Sequence, residues 1–428
     1  MGDEATGGRP GGLFIAPIMP SDRGNGLAMR TGFLLDAYAR RFEIDLAIVP
    51  VAGGPTEITP FVTARVRRAL VMQTAAPDMH FALISGIADP EARVAAFRQY
   101  ARPSITARLS AELENGLLAF VDDASYALVH VSRLYLASLA AAWMHAKGRT
   151  PCLVLDCDED DASAYRRLAR LYRNWGHDRR ADWAEAEADA FRQLAVQWLP
   201  RFDLLLAASA GETRLLGAHA EGVDPTVIPN VVPASAVRSA PRHAGGGRRD
   251  ILFIGNMGYL PNIDAAMWFA LRIWPKLRCA VPFPIRFVIA GSGAPPEVAI
   301  LARQPGIVAT AGFDDVAPLY RRAALAVVPI RAGGGTRIKV LESASYGVPI
   351  VATRFGAAGT GLRSGHELLL ADNERDFAAS CARLLTDGRL ASRLAARALT
   401  RVSRDYDAGR CAARLLGMID AYRNMGVK

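Results

Sequence analysis

The chain predicts an α/β protein made of two successive halves, each a parallel sheet covered by helices. Three observations carry this reading. Apolar runs of strand length, ending at Gly, Pro or Asp, alternate with longer stretches of helical period. The alternation lapses once, over a segment rich in Pro, Gly and Arg, and then restarts. At 428 residues, 51% of them apolar, the chain is also longer than a single core usually holds.

Taken in order, "GLFIAPIM" reads as a strand, "SDRGNG" as a loop, "LAMRTGFLLDAYARRF" as an amphipathic helix and "IDLAIVPV" as the next strand. Further strands are expected at "HFALISG", "YALVHVS", "PCLVLDC", "FDLLLAAS" and "PTVIPN". The segment "NVVPASAVRSAPRHAGGGRRD" has no period and reads as the connection, at about residues 234–249. Beyond it, "ILFIGNM" is a strand and "NIDAAMWFALRIWPKLR" a helix; "IRFVIAGSG", "GIVATAGF", "ALAVVPI", "PIVAT" and "ELLLAD" are strands with helices between. Domain limits of 1–235 and 236–428 follow, with an Arg-rich helical tail from Asp387 to Asn424 expected to brace back. Doubly wound sheets bind ligands outside the carboxyl ends of their strands, so a cleft faced by those ends is the expected site.

Composition narrows the function. The cysteines (Cys152, Cys157, Cys279, Cys381 and Cys411) are odd in number, scattered and without a C-x-x-C pair, which argues against a disulfide framework or a zinc knuckle. "MGDEATGGRPGG" lacks the basic-then-apolar layout of a signal peptide, and runs such as "LASLAAAWM" are too short to span a bilayer. A cytoplasmic protein is expected, with peripheral contact to the inner face of the membrane left open. Net charge +9 favours anionic partners, but the basic residues are dispersed without the aromatic interleaving of a nucleic-acid surface, so no nucleic acid is expected. Residues 166–201 set Arg beside Trp, Tyr and Phe, yet their acids and helical period favour a solvated, half-buried helical pair over a membrane face.

The most informative stretch is "RAGGGTRIKVLESASYGVPIVAT", residues 331–353. A strand runs into three glycines; Thr336 is placed to cap a helix, and Gly347 with Pro349 ends it. First turns usually favour acids, because free N–H groups give them a partial positive charge. This one carries Arg337 and Lys339 instead. Glycine amides, a helix N-terminus and two cations make an anion site, and a diphosphate would resolve the misfit. Glu342, two turns in, could accept from vicinal hydroxyls such as those of a ribose; the plainer alternative is a surface pair with Lys339.

Together with "ILFIGNMGYLPNIDAAMWFA" and "FDDVAPLYRRAALAVVPIRAGGG", this stretch resembles the C-terminal half of the family 4 retaining glycosyltransferases of GT-B fold, in the branch reading "GGGTR-K-LE". The N-terminal half is similar in layout only, through a glycine loop after the first strand and "VIPNVV" at the entry to the linker. The resemblance implies two Rossmann-like domains facing across a cleft and a nucleotide-diphospho sugar donor held mainly by the C-terminal half. The acceptor would be a glycan, a lipid-linked sugar or a small molecule, and the setting polysaccharide biosynthesis. No cofactor and no metal are implied.

Residue by residue, Glu342 falls on the second Glu of the family's paired-Glu motif, which binds the ribose. The first Glu is replaced by Gly334, so backbone amides of Gly334, Gly335 and Thr336 would meet the sugar hydroxyls. The Arg and Lys that usually follow the first C-terminal strand are also missing. Gly255 and Asn256 stand there, which leaves Arg337 and Lys339 to neutralise the diphosphate. Phe313 matches the loop that meets the base, a core phenylalanine being the alternative. Gly24 and Gly26 match the N-terminal glycine loop, an ordinary tight turn being the plainer alternative, and His130 matches a histidine near the reacting sugar, where it would hydrogen-bond, the alternative being a satisfied core or loop residue.

Asp156-Cys157-Asp158 matches the metal motif of the other glycosyltransferase fold, but acids at a strand end before a helix also suit the helix dipole, and no metal is assigned to them. Alternatives to a transferase are a catalytically silent GT-B protein that binds nucleotide or glycan, and a GT-B nucleotide-sugar epimerase. The latter would need acids or bases near the sugar. A dehydrogenase is disfavoured, because "GSGAPPEV" is only a weak dinucleotide loop.

Overall fold

The computed structural model describes residues 8–51, 53–74, 76–122, 124–144, 151–232, 249–311, 315–334 and 337–425. It separates into two compact units. The first comprises Met1–Asn230 with Gly334–Thr336 and Gly409–Lys428; the second comprises Val231–Gly333 and Arg337–Ala408.

In the first unit the strands are β1 (Gly11–Ala16), β2 (Glu43–Ile48), β3 (Arg68–Val71), β4 (Leu128–Ser132), β5 (Cys152–Asp158), β6 (Leu204–Ala207) and β7 (Thr226–Val227). They form one sheet in the order β3-β2-β1-β4-β5-β6-β7, with every pair parallel. β4 and β5 are buried at every residue, as continuous apolar runs require when helices cover both faces. The order turns between β1 and β4, so the switch point lies there.

The helices of this unit used below are α1 (Gly26–Tyr38), α2 (Met79–Gly86), α3 (Pro90–Tyr100), α4 (Asp161–Asn174) and α5 (Asp178–Trp198). α4 and α5 carry the Arg- and Trp-rich stretch and pack as a pair, burying Ala169 of the one with Ala181 and Ala184 of the other, flanked by Tyr165 and Tyr172.

Two elements differ from the sequence reading. "HFALISG" is not a strand but most of α2, whose cap is Asp78: its Oδ1 accepts from Phe81 N at 2.8 Å. Strand β3, "RALV", was not anticipated. It is a four-residue, half-buried edge strand, without the buried run that marks the others.

The second unit holds β8 (Asp250–Ile254), β9 (Arg286–Ala290), β10 (Ile307–Thr310), β11 (Ala323–Val328), β12 (Ile350–Ala352) and β13 (Leu369–Leu370). Their order is β10-β9-β8-β11-β12-β13, again all parallel, with the switch point between β8 and β11. Phe253, Phe269, Trp274, Phe287 and Phe377 fill the core beneath the helices. The helix after the glycine loop, α6, runs Ile338–Ser345; it buries Val340, Leu341, Ser343, Ala344 and Ser345, while Ile338 is half-buried. Gly347 stops it at φ 65°, a conformation that suits glycine.

Both sheets with their helices give the α/β architecture that the sequence predicts. The linker, at residues 233–248, lies outside the described residues.

Candidate functional site

At the switch point of the second unit three loops come together. After β8, Gly255 N donates to Ala290 O at 2.9 Å and Met257 N to Ser292 O at 2.8 Å, lacing this loop to the one after β9. Asn256 folds its side chain back to accept from Gly258 N at 2.8 Å, while its own carbonyl accepts from Asn262 Nδ2 at 2.7 Å. Gly291 makes the lacing possible: a Cβ there would sit 1.7 Å from Gly255 O. The third loop follows β11. Gly333 has φ 105°, and a Cβ on it would meet Tyr259 Oη at 2.9 Å and Pro261 Cγ at 3.0 Å. The loops at these strand ends thus pack backbone against backbone, with Gly255 half-buried and Gly291 and Gly333 buried.

Lys339 reaches into this ledge. Its Cε lies 3.0 Å from where a Cβ on Gly255 would be, so the stem of the ammonium lies alongside that glycine. Burial pulls the Lys339 pKa down to about 8, and the neighbouring Arg337 pushes the same way against the weaker pull of Glu342. Among the described residues Lys339 forms no ion pair.

Arg337 occupies the cap position of α6 but turns elsewhere. Its Nε donates to Phe355 O at 2.9 Å, and its guanidinium lies 4.3 Å over the Phe355 ring. The expected pair of cations is therefore divided: Lys339 on the glycine ledge, Arg337 against the loop after β12.

Glu342 is half-buried and accepts from Tyr320 Oη at 2.9 Å; Tyr320 in turn stacks on Tyr346 with centroids 4.8 Å apart. Burial raises the Glu342 pKa, partly offset by the Tyr320 hydrogen bond and by Lys339. The surface ion pair considered from sequence does not form; the carboxylate is held by a tyrosine instead. Gly334 is grouped with the first unit. Gly335, Thr336 and Phe313 lie outside the described residues.

In the first unit the glycine loop is as its sequence suggests. Gly24 has φ 99° with open space beside it, Asn25 caps α1 by accepting from Ala28 N at 2.9 Å, and Gly26 is the first helical residue. His130 is a different matter. It lies on β4 with zero exposure, stacked on Phe14 at 4.4 Å, with Nδ1 hydrogen-bonded to Tyr38 Oη at 3.1 Å and Nε2 to Ser132 Oγ at 3.0 Å. Burial first, and Arg30 second, hold its pKa down at about 3, so it is neutral at any ordinary pH. As placed, His130 is a core group, and to reach a sugar it would have to leave both partners.

What sequence reasoning missed is the charge network at the strand ends of this unit. Arg30, from the middle of α1, is 1% exposed and grips Asp156 with two bonds, Nε to Oδ2 at 2.7 Å and Nη2 to Oδ1 at 2.5 Å. Its Nη1 donates to Ile228 O and Asn230 Oδ1. Arg133, just past β4, adopts φ 76° and bonds Cys157 O, Glu159 and Asp161, with Asp158 at 3.6 Å. The acids that match a metal motif thus meet arginines. A signal was present: an arginine inside an otherwise apolar helical face needs a buried acid, although its partner lies 126 residues away.

Residues 248–387 match the family model described as "Glycosyl transferases group 1". An uncharacterised 44.6 kDa protein of the cps region of Klebsiella pneumoniae is 23% identical over 137 residues, 30% of this chain. The match spans 35% of that relative, about a third of its length.

Among solved structures, sucrose-phosphate synthase from Thermosynechococcus elongatus superposes with a TM-score of 0.62 at 14% identity, covering 98% of this chain and all of that one. HepE of Anabaena in complex with UDP gives 0.59 at 14% identity, covering 96% and 100%. TarM of S. aureus, in a complex that includes UDP, gives 0.51 at 11% identity over 76% of this chain and 59% of that one. The fold is therefore that of the GT-B glycosyltransferases.

Proposed function

We propose that this chain is a retaining, metal-independent glycosyltransferase that moves a sugar from a nucleotide-diphospho donor to a glycan, lipid-linked or small-molecule acceptor in polysaccharide building. The observation that carries the reading is Lys339 lying against Gly255 at the second unit's switch point, with no ion-pair partner among the described residues, within the segment that matches the glycosyl transferases group 1 model. The N-terminus of α6 would cradle the diphosphate, and the ammonium would neutralise charge as the nucleotide leaves. Tyr320 holds one Glu342 oxygen and orients the other for ribose hydroxyls. The polysaccharide setting draws on the cps-region relative, and UDP is the first nucleotide to try because HepE and TarM were crystallised with it.

The test is a thermal-shift screen with UDP, GDP, ADP, TDP and CMP on the wild type, Lys339→Ala and Glu342→Ala. A ligand at about 100 times its dissociation constant adds ~2.7 kcal/mol. One diphosphate should raise Tm by several degrees at ~2–4 °C per kcal/mol, and both variants should blunt the shift. No shift with any nucleotide would sink the donor assignment.

A silent nucleotide-binding protein is the second reading. Gly334 in place of the first Glu and the buried His130 favour it. Donor hydrolysis or transfer detected by release of the nucleoside diphosphate excludes it.

A further inference from the structure

The stretch that leaves β11 is laid along one side of the helix that follows β8, Leu260–Trp268. Pro261, Asp264 and Trp268 stand at i, i+3 and i+7 on that helix, and so share a face. Arg331 lies 4.8 Å over the Trp268 ring and grips Asp264 with two bonds, Nε to Oδ2 at 3.0 Å and Nη2 to Oδ1 at 2.6 Å. Two residues on, Gly333 approaches Tyr259 and Pro261 so closely that a Cβ has no room. One residue before Arg331, Ile330 O accepts from Thr353 Oγ1. The chain is thus held at three points in four residues.

Asp264 is only 2% exposed, and a buried ion pair is a weak source of stability, because desolvation offsets most of the attraction. Apolar residues of similar size usually serve as well. What a bidentate arginine adds is direction: two bonds fix the plane of the guanidinium and so the chain that carries it. The same helix also steadies the loop after β8. Its Asn262 packs against Gly255 and donates to Asn256 O. Asp264 therefore stands where one carboxylate can set the stretch leading to α6 against the loop beside which Lys339 lies.

We propose that Asp264 is a positioning residue for the anion site: through Arg331 it fixes residues 331–333, so that an incoming diphosphate meets loops already in place. This rests on the donor reading above. An interaction organised before binding spares the ligand the cost of ordering it.

Two measurements on the full chain separate this role from plain stability. Asp264→Leu with Arg331→Met replaces the ion pair by apolar groups and should melt within a few degrees of wild type. Hydrogen exchange read by mass spectrometry should still show a loosened first turn of α6. The amides of Val340 and Leu341, which donate to Arg337 O, should exchange about tenfold faster, with those of β8 and β9 unchanged. Calorimetry with UDP should give a dissociation constant about tenfold or more above that of wild type. Arg331→Lys, which keeps the charge but not the fork, should fall between in both readouts. Wild-type exchange in the apolar pair would overturn the proposal. So would faster exchange spread evenly over the second unit, or a loosened first turn with UDP bound as tightly as before. Should the apolar pair not fold, wild-type exchange and affinity in Arg331→Lys would overturn it equally. If the wild type binds no UDP, the reading of UDP as donor nucleotide falls, and exchange in α6 alone decides what Asp264 does.

Discussion

The two switch points make an informative contrast. Each unit brings loops together at the carboxyl ends of two central strands, and each places cations there. In the first unit Arg30 and Arg133 are buried and paired with acids: Asp156, Asp158, Glu159 and Asp161, with carbonyls and Asn230, meet their guanidinium groups, although Arg133 Nε and Asp161 Oδ2 stay without a hydrogen bond. In the second, Lys339 has no ion-pair partner among the described residues, and burial lowers its pKa. A cation that the protein itself neutralises holds loops in place. One that it has carried into a half-buried position without an anion costs stability, and that cost makes sense where a ligand supplies the charge. Breaking each arrangement should therefore give opposite results.

The largest effect is expected at Arg30. Arg30→Ala leaves Asp156 buried without its partner, a change that costs about 3–5 kcal/mol. Urea melts followed by circular dichroism should show the loss. Arg30→Met paired with Asp156→Leu should recover most of it, since an apolar pair of similar volume can replace a buried ion pair. If Arg30→Ala melts within about 1 kcal/mol of wild type, the network is not what organises these strand ends.

Next is Gly291. A methyl group there meets Gly255 O, which is backbone and can yield only by shifting the loop after β8. Gly291→Ala should cost about 1–3 kcal/mol as an overpacking strain and should abolish nucleotide binding measured by calorimetry. Normal binding in that variant would remove the ledge from the donor site.

Lys339 sharpens the contrast in the other direction. Lys339→Met should leave the free protein as stable as wild type or more so, while weakening a nucleoside diphosphate by about tenfold or more, the scale of a lost charge-assisted contact. Its pH dependence has a definite sign. A folded pKa of about 8, below the ordinary 10.5, means the unfolded chain holds the proton more tightly between those values, so stability rises with pH across that window. Ligand affinity runs the opposite way, since the anion needs the ammonium; it should be strongest below pH 8 and fall as pH rises through it. Lys339→Arg, charged throughout, should flatten the profile in calorimetry from about pH 7 to 9.

These outcomes also mark what could be read from sequence. Strands buried on both faces announced themselves as unbroken apolar runs; the proposed anion site rests on cations where a first turn favours acids, and of these the structure sets only Lys339 beside Gly255. "HFALISG" misled because a short apolar run looks the same as strand or helix, and the discriminating residue was the cap, Asp78, outside the run. β3 escaped for want of burial. The Arg30–Asp156 pair could not be placed by any local rule, because only the fold brings α1 onto the end of β5. His130 was legible as a strand residue, with a core place open as the alternative; what decides for the core is the ring of Phe14, which comes from a neighbouring strand.

The smallest effect belongs to Asp161, and it tests whether the first unit's network is as balanced as its geometry suggests. Burial lifts its pKa to about 7 against the pull of Arg133, with Glu159, Asp160 and Asp158 adding to the lift. A folded pKa above the unfolded value near 3.8 gives stability that is complete below about pH 4 and lost as pH climbs through 7. The wild type should therefore melt a few degrees lower at pH 8 than at pH 5.5, by the rule of ~2–4 °C per kcal/mol. Asp161→Asn should shrink that difference, while Lys339→Met should leave it intact. If Asp161→Asn keeps the full slope, the arginines already balance the acids, and the site's pH response lies wholly with the second unit.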